Sequence, residues 1–155
     1  MKKVILVFGI AVTIYACSGG GSPSSGAASP TGTEETANPA YDPERGAGKF
    51  TKVDVGSTLN AELAAAGQKA YEVKCSACHK LTEEKLVGPG WKGVTSRHKP
   101  EWIMNFATNT DEMLQKDAKA QAMLEVCLVR MPNQHLTDED ARNVYEFMRK
   151  NDGVK

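Results

Sequence analysis

Apolar residues recur at helical spacing in two stretches of the chain, one near its middle and one near its C-terminus. The first stretch has one apolar face made of Leu63, Ala66, Gly67, Ala70 and Tyr71. The second has a face made of Ala141, Val144, Tyr145 and Met148. Spacings of three and four residues are typical of amphipathic helices. The pattern therefore predicts a first and a last helix for a folded region.

Helix-start signals support this interpretation and add two further helices. Thr137 and the three acidic residues after it are suited to the first turn of the last helix, where a hydroxyl caps free N–H groups and carboxylates meet the positive end of the dipole. Residues 100–108 and 111 to about 126 also read as helices, with Thr110 as the cap of the second. The sequence predicts an all-α domain of four helices.

The N-terminal residues have a different pattern. Lys2 and Lys3 precede an uncharged, mostly apolar run from Val4 to Tyr15, which is too short to span a bilayer and predicts an export signal over residues 1–16. The following stretch IYAC resembles the lipobox of bacterial lipoproteins, which implies a lipid on Cys17. An ordinary secretory signal followed by a chance cysteine is the alternative. Either signal implies export, and lipidation implies anchoring in the bacterial periplasm or at the cell surface.

A polar segment separates this signal from the helical region. Residues 17–58 are rich in Gly, Ser, Pro, Ala and Thr and contain few large apolar side chains. Such a composition buries too little apolar surface to offset the entropy of the chain. We therefore expect a disordered tether over residues 17–58 and one small folded domain over residues 59–155, which would benefit from an internal staple such as a cofactor.

Charge excludes one class of function. The 155-residue chain carries 19 basic and 19 acidic side chains and has no long run of either sign. Nucleic-acid binding proteins usually carry a basic patch or an excess of positive charge. We expect no nucleic-acid partner.

The stretch KCSACHK carries the candidate chemistry. It places Cys75, Cys78 and His79 at positions i, i+3 and i+4, on one side of a helix if the first helix continues through them. A zinc site would need a second closely spaced ligand pair, and a thioredoxin-like dithiol would need a strand leading into the motif. Neither accompanies this motif. Cys-x-x-Cys-His is typical of c-type haem attachment, with both thiols bonded to the haem and the imidazole on its iron.

From about residue 59 to residue 150 the chain resembles class I cytochromes c. The motifs that carry the resemblance are CSACH, LVGPGWKGV and VRMPNQHLTDEDARNVYEFM. The resemblance implies the cytochrome c fold and one covalent haem c. It further implies His79 as the proximal iron ligand, Met131 as the distal one, and a hydrogen bond from His79 to the carbonyl of Pro89 that fixes the imidazole.

Reasoning from the residues also favours Met131 as the distal ligand. Pro132 disfavours helix at Met131, so its thioether should lie on a loop, whereas the other methionines of the domain lie in predicted helices. His98 and His135 are the rival ligands. We expect both to be exposed to solvent, although the polar surroundings of His98 would also suit the haem propionates.

Other residues match positions of class I cytochromes c that have structural roles. Gly67 and Tyr71 match the contact of the first helix with the last, where Tyr145 would lie opposite. Trp102 matches a position that bonds a haem propionate in many relatives, and a buried aromatic is the alternative. Trp91 is expected near the haem edge. Cys127 has no expected partner within the chain. We expect a buried free thiol there, and an intermolecular disulfide or an alternative sulfur ligand is the alternative.

A haem bound by histidine and methionine has no free iron site, so the expected function is one-electron transfer without catalysis. The partners would be redox proteins of a respiratory chain, with a membrane reached through the lipid anchor and no small-molecule substrate. The protein would act as a shuttle or as a docked subunit of a fixed complex. The alternative function is a haem enzyme, or a sensor of gas or peroxide, in which the distal methionine leaves the iron.

Overall fold

The computed structural model describes residues 41–155, and these form six α-helices with no β-strand. The helices are α1 (Ala61–Lys74), α2 (Val94–Arg97), α3 (Pro100–Thr108), α4 (Thr110–Lys116), α5 (Ala118–Cys127) and α6 (Asp138–Asn151). The predicted all-α fold is confirmed. The expected signal peptide and lipidation site lie outside the described residues. Within residues 41–155, no helix has the length and hydropathy needed to cross a membrane.

Local sequence explains where the two long helices begin. The side chain of Asn60 accepts hydrogen bonds from the N–H groups of Glu62 and Leu63 at the start of α1, each at 3.1 Å. Thr137 and Asp140 form a reciprocal capping box at the start of α6, as the acidic first turn predicted. Each cap satisfies backbone N–H groups that have no partner within the helix.

Helices α1 and α6 cross at Gly67. A Cβ atom at this position would lie against the backbone carbonyl of Asn143 and 2.9 Å from the Cβ of Phe147, so only glycine allows this approach. The rings of Tyr71 and Phe147 then meet at 5.4 Å between centroids. The prediction that Tyr145 lies opposite Gly67 and Tyr71 is wrong, because positions 143 and 147 present the face of α6 that meets α1.

The predicted helix over residues 111–126 is divided in two at Asp117. This residue has extended backbone angles, and its buried carboxylate accepts a hydrogen bond from the N–H of Ala120 at 2.8 Å. It therefore ends α4 and caps α5. The predicted cap Thr110 is also wrong: Thr110 lies inside α4 behind Asn109, and its hydroxyl donates to the carbonyl of Phe106. The helix predicted over residues 100–108 is confirmed as α3.

Residues 41–57 form an ordered segment, the N-terminal strap, which packs on α3 and α4. Asn105 on α3 is buried, and its amide accepts from the N–H of Phe50 and donates to the carbonyls of Arg45 and Phe50. The N–H of Val53 donates to Glu101 at 2.7 Å, and the side chains of Phe50 and Val53 pack against the core. The prediction of disorder up to residue 58 is therefore wrong for residues 41–57. The strap has few large apolar residues, and its backbone N–H and C=O groups form hydrogen bonds with polar side chains of α3.

The strap also joins the C-terminal helix through a buried carboxylate. Glu146 is fully buried on α6 and accepts hydrogen bonds from Arg142, from Arg149 and from the N–H of Asn60. Arg149 donates in addition to the carbonyl of Gly56 at 2.7 Å. Burial raises the pKa of Glu146, but the three hydrogen bonds outweigh it and hold the pKa below its ordinary value.

Candidate functional site

The Cys-x-x-Cys-His motif lies in a tight turn directly after α1. The helix ends at Lys74, and the carbonyl of Cys75 accepts from the N–H of Cys78 at 3.0 Å and from the N–H of His79 at 2.9 Å. The prediction that α1 continues through His79 is therefore wrong. The hydrogen bond from the N–H of His79 to the carbonyl of Cys75 nevertheless has the four-residue spacing of an α-helix, and it folds His79 back toward Cys75.

The imidazole of His79 is held by its own loop. Its Nδ1 lies 2.9 Å from the carbonyl oxygen of Pro89, which is the contact predicted for this pair. A carbonyl only accepts, so Nδ1 is the protonated nitrogen and Nε2 of the neutral ring keeps a free lone pair. Burial lowers the pKa of His79, while the bond to Pro89 opposes the shift. The neutral ring is the form that binds a metal ion.

Two neighbouring contacts fix this arrangement. The hydroxyl of Tyr71 donates to the backbone carbonyl of His79 at 2.7 Å, which ties the motif back to α1. On the other side Gly88 lies against the imidazole, where a Cβ atom would overlap the ring. The glycine before Pro89 therefore lets the loop come close enough for its carbonyl to reach Nδ1.

Cys78, His79 and Met131 line one apolar cavity. The centre of a water-sized sphere can reach about 190 Å³ of it, and it opens to solvent. Its apolar wall comes from the loop after the motif and from helices α3 to α6. The wall includes Val87, Trp91, Ile103, Phe106, Leu114, Met123, Leu124, Val129 and Met148.

The two cysteines of the motif differ in exposure. Cys75 is buried against the core, and burial raises the pKa of its thiol to about 11, with Lys74 lowering and Cys78 raising it further. Cys78 is half-buried and lies in the cavity wall. Neither cysteine forms a disulfide within the part of the chain that the structure describes. Within residues 41–155, no group of three or more His, Cys, Asp or Glu side chains is arranged to hold a metal ion.

Met131 lies on the loop between α5 and α6, as predicted from Pro132. Its side chain is half-buried and reaches the cavity. Met123 on α5 and Met148 on α6 also line the cavity, although the sequence suggested only a packing role for them. Met131 differs from these two in lying on a loop.

Trp102 does not have a free N–H group. Its indole Nε1 donates to Oδ2 of Asp117 at 3.1 Å, and the same oxygen accepts from the hydroxyl of Tyr41 at 2.6 Å. The prediction that Trp102 bonds a haem propionate is therefore wrong, because an indole has a single donor and Asp117 takes it. The alternative prediction of a buried aromatic is confirmed, since Trp102 is 3% exposed and lines the cavity. Sequence reasoning missed Asp117, which carries no local signal of burial.

The other candidate residues differ in whether they line the cavity. His98 lines the cavity and stacks on Trp102 at 4.0 Å between centroids, so the expectation that it faces solvent is wrong. His135 is exposed, as expected. Trp91 is buried in the cavity wall, 5.6 Å from His79 between ring centroids. Cys127 is a half-buried free thiol that also lines the cavity, which its position in the sequence did not show.

Comparison with known proteins finds a family and three similar solved structures. The family model described as cytochrome c matches residues 64–152. The chain is similar to a cytochrome c from Rhodothermus marinus, with 32% identity over 72% of this chain and 97% of that one and a TM-score of 0.68.

Two engineered forms of the Rhodothermus marinus protein are also similar. One has 31% identity and a TM-score of 0.68, and the other, bound to a carbene intermediate, has 31% identity and a TM-score of 0.65. Each alignment covers 72% of this chain and 98% of the other. None of the curated proteins compared with this chain matches it in sequence.

Proposed function

Because the chain belongs to the cytochrome c family and carries one covalently bound haem c, we propose that it transfers single electrons through a haem bonded to Cys75 and Cys78, with iron bound by His79 and Met131. The observation that carries this proposal is the fixed imidazole. Pro89 holds Nδ1 of His79, so the ring presents Nε2 at the cavity that Met131 also lines.

The residues of the cavity fit a haem. An apolar wall suits a large, flat and mostly apolar group, and the thiol of Cys78 lies in that wall beside His79. Bound haem supplies an Fe(III)/Fe(II) couple that accepts and releases one electron. Pro89 makes the imidazole a better donor, the thioether of Met131 favours the reduced iron, and the wall limits water at the metal.

Covalent attachment gives a direct test of the two cysteines. In a host that attaches haem to c-type cytochromes, we expect the wild-type protein to keep its haem on a denaturing gel, because thioether bonds survive unfolding. A Cys75→Ala, Cys78→Ala double variant should lose the haem stain completely. The Cys127→Ala variant, which removes a cavity thiol outside the motif, should stain like wild type. A colourless wild-type protein, or a stained double variant, would overturn the assignment.

Membrane tethering is the second part of the proposal. The apolar run over residues 4–15 and the lipobox-like IYAC support export and lipidation at Cys17, with the domain held near a membrane of the bacterial periplasm or cell surface. Redox proteins of a respiratory chain are the partners that such a location offers. These partner proteins would exchange electrons with the haem close to the membrane.

Lipidation predicts a change in fractionation. We expect the Cys17→Ala variant to move from the membrane to the soluble fraction, since the lipid would be its anchor. Cys127→Ala is the matched control and should stay with the membrane. Membrane association that survives loss of Cys17 would show that something other than this lipid holds the protein.

A haem enzyme or a sensor of gas or peroxide is the second candidate function. It is favoured by one observation, that an engineered form of a similar cytochrome c is bound to a carbene intermediate. Such a role here would require Met131 to leave the iron. It predicts that the reduced wild-type protein binds carbon monoxide readily, whereas an electron carrier with a permanent methionine ligand should not bind it.

A further inference from the structure

The carbonyl of Pro89 that orients His79 belongs to a loop whose two arms are joined to each other. Residues 80–92 form this segment, the proximal loop. Two backbone hydrogen bonds close it, from the N–H of Trp91 to the carbonyl of Lys80 at 2.9 Å and from the N–H of Lys92 to that of Thr82 at 3.2 Å. Pro89 lies in the second arm, so the position of its carbonyl depends on what holds that arm.

Two residues at the C-terminal end of α6 hold the proximal loop from outside. The side-chain amide of Asn151 donates to the carbonyl of Leu81 in the first arm at 3.0 Å. The carboxylate of Asp152 accepts hydrogen bonds directly after the second arm, from the N–H of Gly93 at 2.6 Å, from the N–H of Thr95 at 2.9 Å and from its hydroxyl at 2.6 Å. These partners lie 57 to 70 residues apart in the chain, so no local pattern in the sequence indicates them.

Asp152 makes the stronger of these contacts. Hydrogen bonds to an ionised carboxylate are about twice as strong as neutral ones. Its side chain has no role in ending α6, because the backbone N–H of Asp152 donates there to the carbonyls of Met148 and Lys150. The hydrogen bonds that the carboxylate accepts come instead from Gly93 and Thr95. The carboxylate of Asp152 therefore serves the loop rather than its own helix.

We propose that Asp152 is a positioning residue for the iron ligand His79. By holding the chain directly after the proximal loop, its carboxylate keeps the carbonyl of Pro89 against Nδ1–H of the imidazole. A hydrogen bond at this position makes the imidazole a better donor to the metal, and a better donor favours oxidised over reduced iron. Asp152 thereby helps to set the midpoint potential, although it touches no reacting atom. The inference rests on the haem bound through His79 in the proposed function and not on the identity of the distal ligand.

The test compares the haem-loaded wild-type protein with Asp152→Ala. In the reduced state, the NMR signal of Nδ1–H of His79 should be lost to solvent deuterium on the order of tenfold faster in the variant, because the loop opens more often. The equilibrium constant for reduction of the iron should increase about threefold, which raises the midpoint potential by about 30 mV at roughly 59 mV per tenfold change for a one-electron couple. Hydrogen exchange and a potentiometric titration measure the two effects.

Loss of a negative charge would by itself raise the potential, so a second variant keeps the charge. Thr95→Val removes the hydroxyl that donates to Asp152 and leaves the carboxylate in place. It should change the exchange rate and the potential in the same direction as Asp152→Ala, by smaller factors. Glu139→Gln is the matched control, since it removes an exposed carboxylate from the first turn of the same helix, and it should keep the wild-type exchange rate at Nδ1–H of His79.

Exchange of backbone amides separates the positioning of His79 from a general stabilisation of the domain. The amide N–H groups in the middle of α1 should keep their wild-type exchange rates in Asp152→Ala, because only the loop becomes looser. Equal acceleration of these amides and of Nδ1–H would show that Asp152 stabilises the whole domain, and would overturn the inference. An unchanged rate at Nδ1–H would overturn it as well, even if the potential rose. In the wild-type protein the amides of Gly93 and Thr95 should exchange slowly, and rapid exchange of both would contradict their bonds to Asp152.

These results are separable from a failure of the proposed function. A reversible one-electron wave, together with an exchange rate at Nδ1–H that Asp152→Ala does not change, would disprove the role of Asp152 and leave the electron carrier intact. A haem protein without a reversible wave would disprove the carrier, while hydrogen exchange at His79 would still decide whether Asp152 positions this ligand.

Discussion

Replacing Met131 with alanine is expected to lower the midpoint potential by on the order of 0.2 V, part of the roughly 0.8 V range over which axial ligands set haem potentials. The reason is that a thioether stabilises reduced iron, and alanine leaves water or no ligand in its place. The weak near-infrared band from sulfur to ferric iron should disappear. Potentiometric titration and an oxidised absorption spectrum measure both effects.

Met123→Leu is the matched control, because Met123 also brings a thioether to the cavity but lies on a helix. It should keep the near-infrared band and a potential close to that of wild type. Carbon monoxide should bind to reduced Met131→Ala and not to reduced wild type. If Met131→Ala keeps the band and the potential, another residue is the distal ligand; if wild type binds carbon monoxide, the enzyme or sensor function is favoured.

Much of the candidate site could be predicted from short stretches of sequence. Cys75, Cys78 and His79 are adjacent in the chain, and Pro132 places Met131 on a loop, so these assignments needed little knowledge of tertiary contacts. The bond between His79 and Pro89 spans ten residues of one loop, and the resemblance to class I cytochromes c supplied it. The periodicity that predicted α1 and α6 is likewise a local property.

The errors arose where distant residues decide the structure. The strap has a tether-like composition, and its order depends on Asn105, which lies 55 residues after Phe50. The break between α4 and α5 and the bond made by Trp102 both depend on one buried carboxylate, Asp117. Nothing in the sequence near Asp117 distinguishes it from an exposed acidic residue. Long-range pairs of this kind leave no periodic signal.

A comparable dependence on tertiary contact makes Gly67→Ala the second change with a large expected effect. Helix propensity alone predicts that alanine stabilises α1 by about 1 kcal/mol relative to glycine. The crossing with α6 predicts the opposite, because the new Cβ would overlap the backbone carbonyl of Asn143 and crowd the Cβ of Phe147. A backbone atom cannot move away as a flexible side chain can, so the two helices would have to separate.

We therefore expect Gly67→Ala to lower the free energy of unfolding by about 3 kcal/mol, at the upper end of overpacking effects. Guanidinium chloride unfolding of the haem-loaded protein measures the change. Ala66→Gly is the matched control at the neighbouring exposed position of α1, where only the propensity of about 1 kcal/mol should be lost. Because contact and propensity predict opposite signs at Gly67, a variant more stable than wild type would show that α1 and α6 do not meet at this residue.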